Sequence, residues 1–472
     1  MTAAAPRLYL TGNLLPRGAH APSELPMSDY NPADILESLI GKSIKAGAHA
    51  ADAVLFDSRS VSVSYRLGKL EDVERSENFD LGLRVMVGKR QAAVSSNDRR
   101  GETLDELVAR CVAMARAAPE DPYCGLADDD YLARKFPALD LLDPHEPDTE
   151  KLKEAAAAAE AAALSVRGVV NSEGADASWG TGGFHLATSA GFYGGYEASS
   201  RSISCSVVAA DENGMERDYD YFSALHAEDM IAPETIGRTA GERAVRRLSP
   251  RKARSVKAPV IYENRLASGI LSHLTGAIRG GAIARGVSFL KDKLGQQIFP
   301  ETITIIDDPH RRRGLASKPF DGEGVKNRRT EIIKNGVLTT WLLNSAQARQ
   351  LKMELTGHAT RGAGGPPGSG STNLHMEPGS ISRAQLIGEV DEGLFVTDMF
   401  GPSVNANTGD YSVGVSGFWI EKGEIAYPVS EITVAGNLLD MFMNITPAND
   451  LEFRGSKNAP SLRIDGMTIA GS

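Results

Sequence analysis

Cysteine is scarce in this chain, with three residues among 472. Cys111, Cys124 and Cys205 cannot all be paired, and their spacings match neither a disulfide framework nor a zinc ribbon. The sequence therefore predicts a protein of a reducing compartment, the cytoplasm. Cys111 falls within the apolar periodicity of a helix and Cys205 within an alternating strand, so both are expected to be buried thiols that pack as small apolar side chains.

Long apolar runs are also missing. No segment approaches the roughly 18 to 20 apolar residues that a membrane-spanning helix requires, so the sequence predicts no bilayer crossing and no membrane partner. Residues 1–29 lack the apolar centre of a secretory signal and contain scattered proline and glycine. We expect them to be disordered or an extension, outside the fold.

Paired histidines at helical spacing are absent as well. None of the nine histidines has a second histidine four residues later, so the chain lacks the simplest way of presenting two metal ligands from one helix. His358 and His375 flank a glycine-rich loop. They remain an alternative, as remote ligands that converge in the fold.

Two further segments resemble active-site motifs but lack residues that those motifs require. The segment Gly365–Thr372 is superficially similar to a phosphate-binding loop, but Ser371 stands where the lysine belongs and two prolines remove backbone donors. It is predicted to be a flexible loop, or alternatively a mobile segment facing a substrate cavity. The string Gly414–Gly417 is one residue short of a serine-hydrolase elbow and lies in strand-like surroundings, so a serine hydrolase is not predicted.

Positive charge is in deficit. The formal net charge of −10 creates an averaged field that repels phosphate backbones, so nucleic acid is not an expected partner. Arginine and lysine nevertheless cluster between Arg243 and Lys257 and again at Arg311–Arg313. We expect these clusters to be solvated faces, helix C-terminal charges or partner contacts.

The composition that is present is that of a globular protein with two or three domains of about 150 residues each. We predict an α+β fold in which N-terminal α/β domains precede a predominantly β C-terminal domain of sandwich or barrel-like arrangement. The boundaries are 30–120 for an αββα-like domain, 145–250 for a central α+β domain and 257–472 for the β-rich domain.

Local signals predict particular elements. Asn31 before Pro32 indicates a helix start, and Thr103 with Glu106 has the spacing of a capping box. One long helix is predicted from Asn264 to about Ala284. Asn213 with the following glycine indicates a hairpin turn.

Four carboxylates lie close together in the sequence, at Asp307, Asp308, Asp321 and Glu323. Such a density suggests general acid or base chemistry. Carboxylates next to Arg311–Arg313 are more often surface ion pairs and turn formers, so no catalytic role is predicted for them.

The stretch Asp307–Arg361 is the most distinctive part of the chain, reading DDPHRRRGLASKPFDGEG and then NRRTEIIKNGVLTTWLLNSAQARQLKMELTGHATR. A second block, Asp398–Thr433, contains DMFGPS, TGDYS, GFWIE and PVSEIT. Both resemble the PmbA branch, also called TldE, of the TldD/PmbA metalloprotease family. The resemblance extends from about residue 30 to the end of the chain.

The resemblance carries an implication about metal binding. The TldD branch has a metal-binding helix of pattern His-Glu-x-x-x-His, and the corresponding apolar segment here is Ile270–Ala277. If Gly276 matches the glycine before the second metal-binding histidine, Ser272 replaces the first histidine, His273 replaces the glutamate and Ala277 replaces the second histidine.

The resemblance also implies a cysteine ligand near the C-terminus, where this chain has Leu451–Ser456 and no cysteine after Cys205. A zinc ion that activates water needs its ligands and a general base. The resemblance therefore implies no catalytic residue and no metal ligand in this chain, and it leaves the substrate-binding residues unassigned. Zinc is expected in a TldD-like partner.

The family implies a cytoplasmic heterodimer of TldD and TldE that degrades or trims unstructured peptides, including microcin precursors and an antitoxin. This chain would shape a cavity for extended peptides and offer exposed strand edges to a peptide or to the partner. Two rival hypotheses remain: an independent metallopeptidase with an unrecognised site, and a non-enzymatic modulator of DNA gyrase. The acidic charge argues against direct DNA binding.

Overall fold

A computed structural model describes residues 30–471 of the chain. The predicted extension 1–29 lies outside the described residues. The helices of the described part are α1 Pro32–Lys45, α2 Gly101–Ala117, α3 Thr149–Leu164, α4 Pro233–Arg246, α5 Asn264–Ala277, α6 Gly280–Ala284, α7 Ser345–Leu351, α8 Arg383–Gly388 and α9 Leu438–Met443.

The strands of the same part fall into long N-terminal strands and mostly shorter C-terminal ones. They are β1 Ala50–Arg66, β2 Lys69–Val87, β3 Arg90–Ser96, β4 Val169–Thr188, β5 Tyr193–Asp211, β6 Gly214–Ala224, β7 Val256–Tyr262, β8 Ile305–Asp307, β9 Thr330–Lys334, β10 Val337–Leu338, β11 Ala359–Thr360, β12 Gly368–Ser369, β13 Leu374–Met376, β14 Glu392–Val404, β15 Asp410–Glu421, β16 Glu424–Asn437, β17 Ile445–Pro447, β18 Lys457–Asn458 and β19 Leu462–Ala470.

The predicted helix start at Asn31 is confirmed. Its side chain accepts a hydrogen bond from the backbone N–H of Ala33 at 3.1 Å, and Pro32 occupies the first turn. The predicted capping box at Thr103 is wrong, because α2 already begins at Gly101. The Thr103 hydroxyl donates instead to Asp98, at 3.0 Å.

The first sheet has six antiparallel strands in the order β3-β2-β1-β4-β5-β6. Three strands rather than two lie between α1 and α2, because the chain turns back at Gly88, where φ is 62°. Strand β1 pairs with both β2 and β4. The segments 30–120 and 145–250 therefore share one sheet, and their division into two domains stays a prediction.

Alternation along β1 assigns the two faces of this sheet. Ala53 and Leu55 pack with α1 and α2, whereas Val54 between them joins the core of the C-terminal part. Val61, on the same face as Leu55, packs with α3 and α4. Because successive side chains of a strand point to opposite faces, all four helices cover one face and the C-terminal part packs against the other.

Helices α3 and α4 approach closely at Gly237. A Cβ atom added there would lie 1.8 Å from the carbonyl oxygen of Ala159, a distance that no real contact allows. Glycine is therefore required at this crossing although it is a poor helix former.

We expect Gly237→Ala to destabilise the protein by about 1–3 kcal/mol, because the helices must separate. The matched control is Gly41→Ala on α1, where an added Cβ meets nothing within 4 Å. Gly41→Ala should stabilise the protein by about 0.5–1 kcal/mol, since alanine favours the helix more than glycine does. Thermal unfolding followed by circular dichroism measures both, and a rise in melting temperature for both variants would contradict the close approach.

The C-terminal part contains a closed barrel. Strands β16, β15, β14, β7 and β19 follow one another, and β16 also pairs with β19, so the ring closes without a free edge. A separate five-stranded sheet has the order β10-β9-β8-β13-β18, in which β18 runs parallel to β13. The predicted α+β class with a barrel-like, predominantly β C-terminal part is confirmed.

The single long helix predicted from Asn264 to about Ala284 is instead two helices, α5 and α6. The backbone of Leu342 bonds on both sides of the break: its N–H donates to Ile278 O at 3.0 Å and its carbonyl accepts from Gly280 N at 2.8 Å. None of the helices within residues 30–471 is both long and apolar enough to span a membrane.

Candidate functional site

Helix α5 presents one apolar face and one open face. Ala267, Leu271 and Leu274 are buried in the C-terminal core, whereas Ser272 and Gly276, four residues apart, are exposed on the other side. The segment that the resemblance matches with a metal-binding helix thus has its Ser272 and Gly276 positions open.

Strand β18 brings a lysine to this face. The lysine is Lys457, which pairs with Leu374 in the parallel ladder of β18 and β13. The backbone carbonyl of the preceding residue, Ser456, accepts a hydrogen bond from Leu374 N at 2.8 Å. This pairing places Lys457 Nζ 3.3 Å from Ser272 Oγ. The two segments that the resemblance connects with the metal are therefore adjacent in the fold.

His273 is packed rather than open. Its ring meets Tyr411 edge-on, with the ring centroids 5.6 Å apart. Burial lowers the pKa of His273, and the charge of Lys457 lowers it further. The imidazole is therefore held neutral against an aromatic ring, as a packing group.

The side chains at this place do not fit zinc. Zinc in proteins takes thiolate, imidazole and carboxylate ligands. At the matched positions stand the Ser272 hydroxyl, the Ala277 methyl group and, next to them, the Lys457 ammonium, which has no lone pair while protonated. Within residues 30–471, no group of three or more histidine, cysteine, aspartate or glutamate side chains is arranged to hold a metal ion.

The two histidines considered as remote ligands have different surroundings. His358 Nε2 lies 3.3 Å from Asp307 Oδ2, while the ring of His375 packs on Phe453 with centroids 5.3 Å apart. In both rings Nδ1 is buried and has no hydrogen-bond partner. The structure thus brings His358 to a carboxylate and His375 to an aromatic ring.

The carboxylates near the arginine cluster are mostly buried, so their predicted role in surface ion pairs is wrong. Asp307 is fully buried and accepts hydrogen bonds from the backbone N–H of Thr372 at 2.7 Å and from its hydroxyl at 2.9 Å. Arg312 and Arg313 pair instead with Asp140, each at 2.6 Å. The arginines therefore fasten the segment before α3 to the C-terminal part.

Asp321 is a turn former, as predicted, but a buried one. Its carboxylate accepts from the backbone N–H groups of Glu323 and Val325, both at 2.9 Å, and of Ala359 at 3.0 Å. Burial and then the charge of Glu323 raise the pKa of Asp321 to about 7, against the effect of these three donors. The arrangement organises three backbone segments, which is a structural role.

The predicted flexible loop, Gly365–Thr372, is held in place in its middle part. Gly368–Ser369 pairs with β11, and Asn344 Nδ2 donates to the carbonyl of Pro367 at 2.7 Å. Ser369 is buried. The prediction of a flexible loop is therefore wrong for Pro367–Ser369. Gly414–Gly417 lies within β15, as its strand-like surroundings indicated.

The basic cluster after α4 makes contacts inside the chain. Arg246 lies over the ring of Phe418 at 5.1 Å and Arg251 over that of Tyr427 at 4.7 Å. Arg246 lies in the last turn of α4 and, like Arg251, is exposed, so the prediction of helix C-terminal charges and solvated faces is confirmed for these two residues. Arg247 is buried among carboxylates, including Asp218, and is not a solvated charge. Cys111 and Cys205 are buried free thiols, as predicted.

Sequence reasoning missed Lys457. It directly follows Leu451–Ser456, the segment that the resemblance places near the cysteine ligand, and this adjacency was the available signal. What the sequence did not reveal is that the parallel pairing of β18 with β13 turns this lysine toward Ser272.

Three family models match the chain in succession. Domain 1 of the PmbA/TldA metallopeptidases matches residues 51–115, the central domain matches residues 142–248 and the C-terminal domain matches residues 255–471. The chain belongs to the PmbA/TldD metallopeptidase family.

Family members of similar length carry the PmbA name. Metalloprotease PmbA of Escherichia coli O157:H7 is 40% identical over 442 residues, which cover 93% of this chain and 96% of the relative. A metalloprotease PmbA homolog of Haemophilus influenzae is 39% identical and covers 91% of this chain and 93% of its own. The predicted PmbA/TldE resemblance is confirmed.

Solved structures share the fold across nearly the whole chain. A putative modulator of DNA gyrase from Bacteroides thetaiotaomicron matches with a TM-score of 0.86 and 28% identity, covering 93% of this chain and 99% of that one. TldE from Thermococcus kodakarensis matches with a TM-score of 0.82 and 21% identity, covering 92% and 99%. The second likeness supports the PmbA/TldD fold alone.

Proposed function

We propose that this chain is the subunit without its own metal of a TldD–TldE type metallopeptidase. A TldD-like partner supplies the zinc and the hydrolytic step, and the pair degrades or matures unfolded peptides in the cytoplasm. The observation that carries the proposal is the 3.3 Å contact between Lys457 Nζ and Ser272 Oγ. An ammonium group at that place repels a divalent cation, and Ala277 offers no ligand.

The names of the relatives support a protease of this family. The matches include proteins named metalloprotease PmbA and one named metalloprotease TldD homolog, which is 26% identical over 280 residues. A chain similar to both branches is expected if the two arose from one ancestor and divided the work between a metal-bearing and a metal-free subunit.

A free strand edge supports an extended peptide as the substrate. Strand β6 pairs with β5 only from Arg201 onward, so Tyr193–Ser200 has β4 on one side alone. Ser199 N points away from β4 and donates to the carbonyl of Leu141 at 3.0 Å, and by alternation the backbone of Gly195 and Glu197 points the same way.

A groove of about 560 Å³ runs along this edge, between the residues of β5 and the segment from Pro137 to Leu142. Its lining includes neither Ser272 nor Lys457. An extended chain placed there would satisfy the outward backbone groups of Gly195 and Glu197, which is how strand addition gives affinity without sequence specificity.

The deciding experiment measures cleavage of an unstructured fluorogenic peptide by this chain alone, by its TldD-like partner alone and by the mixture, with bound zinc quantified in each sample. We expect cleavage only in the mixture, with zinc following the partner. The matched control is a mixture in which the first histidine of the partner's own metal motif is replaced, and it should be inactive. Cleavage and stoichiometric zinc in the isolated chain would refute the proposal.

A second candidate function is modulation of DNA gyrase, because one solved relative is described as a putative modulator of that enzyme. A direct effect would change gyrase supercoiling of plasmid DNA when the purified chain alone is added. No change in supercoiling, together with cleavage by the mixture, would leave proteolysis as the function.

A further inference from the structure

The free edge of β5 has two faces of different character. Side chains of directly opposed residues in neighbouring strands lie on one face, and Glu197 is opposed by Gly183 of β4, which is opposed by Asp57 of β1. Tyr196 projects to the other face, onto the core of the C-terminal part. A peptide strand added to this edge would therefore meet a charged face and an apolar face in alternation.

Two carboxylates occupy the charged face. Glu197 is exposed and forms neither a hydrogen bond nor an ion pair in the described part of the chain. A Cβ atom added at Gly183 would lie 2.2 Å from Asp57 Oδ1, so the Asp57 carboxylate leans over this glycine toward β5. It accepts a hydrogen bond from the Tyr30 hydroxyl at 2.8 Å. The Arg99 guanidinium lies over the Tyr30 ring, 5.1 Å from its centroid, and offsets part of the Asp57 charge.

The cations near this face are bound elsewhere. Arg59 pairs with Glu146 at 3.4 Å. Arg201 pairs with Asp143 at 3.0 Å. Two further arginines bind the carboxylate of Asp140, which also lines the groove. Of the described residues that line the groove, none is a lysine or an arginine.

Two lysines are adjacent to lining residues in the sequence without facing this charge. Burial lowers the pKa of Lys318, and the carboxylates whose charges act against that shift are Asp321 and Asp307. Lys135 is exposed and forms no ion pair with Glu197 in the described structure. The negative charge of Glu197 is therefore left for a ligand.

His185 fills the charged face without adding a positive charge. A Cβ atom added at Gly195 would lie 2.3 Å from His185 Nδ1, so the imidazole lies across this glycine. The same nitrogen is 3.4 Å from the Tyr193 hydroxyl. Burial lowers the pKa of His185, against the charges of Asp57 and Glu197. A cationic side chain placed here would meet a neutral ring and carboxylates.

The other face of the edge is apolar. The ring of Tyr196 packs on that of Phe320, with centroids 5.7 Å apart. Leu139 and Leu141 pack against the same tyrosine, and Pro319 also lines the groove. Apolar side chains of a bound strand would be removed from water on this side, which is favourable.

We propose that the groove along β5 selects extended peptides in which lysine or arginine alternates with apolar residues, the basic side chains lying opposite Gly195 and Glu197. The inference rests on the proposed function, because it takes a peptide as the ligand. In strand addition the main chain supplies affinity and alternate side chains supply specificity. Opposite charges on directly opposed residues stabilise a sheet, whereas like charges destabilise it.

The test measures binding by this chain alone, through fluorescence anisotropy of labelled unstructured peptides at low and moderate salt. One peptide alternates lysine with valine, a second has glutamate in place of each lysine, and a third has the composition of the first with its lysines in one block. At low salt we expect the first to bind about tenfold tighter than the second and about threefold tighter than the third. The preference for lysine over glutamate should shrink as salt rises.

Variants locate the site. Glu197→Gln is expected to reduce the tenfold preference to about threefold, because Asp57 remains. Glu197 makes no contact that the fold depends on, so the melting temperature should not change. The matched control is Glu212→Gln, which removes an exposed glutamate at the turn between β5 and β6 and should keep the full preference. This control matters because a chain of net charge −10 attracts any basic peptide.

Equal binding of the lysine and glutamate peptides would overturn the inference, as would an equal loss of preference in Glu197→Gln and Glu212→Gln. Equal binding of the alternating and block peptides would refute the alternation on which it depends. These outcomes are separate from failure of the proposed function, which is measured by cleavage and zinc content. Cleavage by the mixture without preference for basic peptides would refute the selection while leaving the proposed function intact.

Discussion

Replacing Asp218 with alanine is expected to destabilise the protein by about 3 kcal/mol or more. The Asp218 carboxylate is 1% exposed and binds the Arg265 guanidinium through two hydrogen bonds, of 2.8 and 3.1 Å. It also lies 3.3 Å from Arg247. Its removal leaves two largely buried guanidinium groups with fewer partners.

The position of Asp218 explains the size of this effect. The residue belongs to β6 of the first sheet, whereas Arg265 lies in the first turn of helix α5 of the C-terminal part and also donates to the carbonyl of Thr397 at 2.6 Å. Arg247 continues the network to Asp398 at 3.1 Å. Breaking the network therefore weakens the contact between the first sheet and helix α5, which carries Ser272.

Chemical unfolding in guanidinium measures the effect, with each transition fitted separately because a chain of this size need not unfold in one step. Asp105→Ala is the matched control. Asp105 pairs with Lys42 at 2.5 Å, but its side chain is 64% exposed, so we expect a change within about 1 kcal/mol. Equal changes for the two variants would show that burial of the Asp218 network contributes nothing.

Elements whose causes are local could be predicted from the sequence. The start of α1 depends on Asn31 and Pro32, and the hairpin between β5 and β6 turns at Glu212 and Asn213, just before Gly214, where φ is 155°. Elements whose causes are distant could not. Helix α5 ends at Ala277 because Leu342, far along the chain, bonds to the backbone on both sides of the break.

The candidate site likewise has one part that could be predicted from the sequence and one part that could not. The replacement of the metal-binding pattern by Ser272, His273 and Ala277 could be predicted from one helix, because the resemblance supplied the register. The approach of Lys457 was not readable, since it depends on the pairing of two short strands. The charge of the site therefore emerges only when the chain folds.

A second large effect is expected at Asp52, which joins the first sheet to the C-terminal part. Its carboxylate accepts from Arg84 Nε at 2.7 Å and also binds Arg361, and all three side chains are almost fully buried. Arg361 in turn donates to the carbonyl of Gly365 at 2.8 Å. We expect Asp52→Ala to lower the free energy of unfolding by about 3–5 kcal/mol, because it leaves two buried cations without their shared anion.

The segment after Arg361 packs closely on the first sheet, which supports the large destabilisation expected for Asp52→Ala. A Cβ atom at Gly82 on β2 would lie 2.4 Å from the carbonyl oxygen of Ala363, so the segment after Arg361 rests directly on the sheet. Guanidinium unfolding of Asp52→Ala and of the similarly shaped Asp52→Asn measures the cost. A loss below about 1 kcal/mol in both would show that the buried carboxylate is dispensable.

The charge of Asp52 also predicts the pH dependence of this cost. Burial alone would raise the pKa of Asp52, but the charges of Arg361 and Arg84 and their hydrogen bonds hold it below its usual value. A carboxyl whose folded pKa lies below its unfolded value contributes stability above about pH 4, and this contribution is lost as the pH falls through the folded pKa. The difference in unfolding free energy between the native chain and Asp52→Asn should therefore be constant near neutral pH and shrink in acid. A difference that stays constant down to about pH 3 would mean that the Asp52 charge does not stabilise the fold.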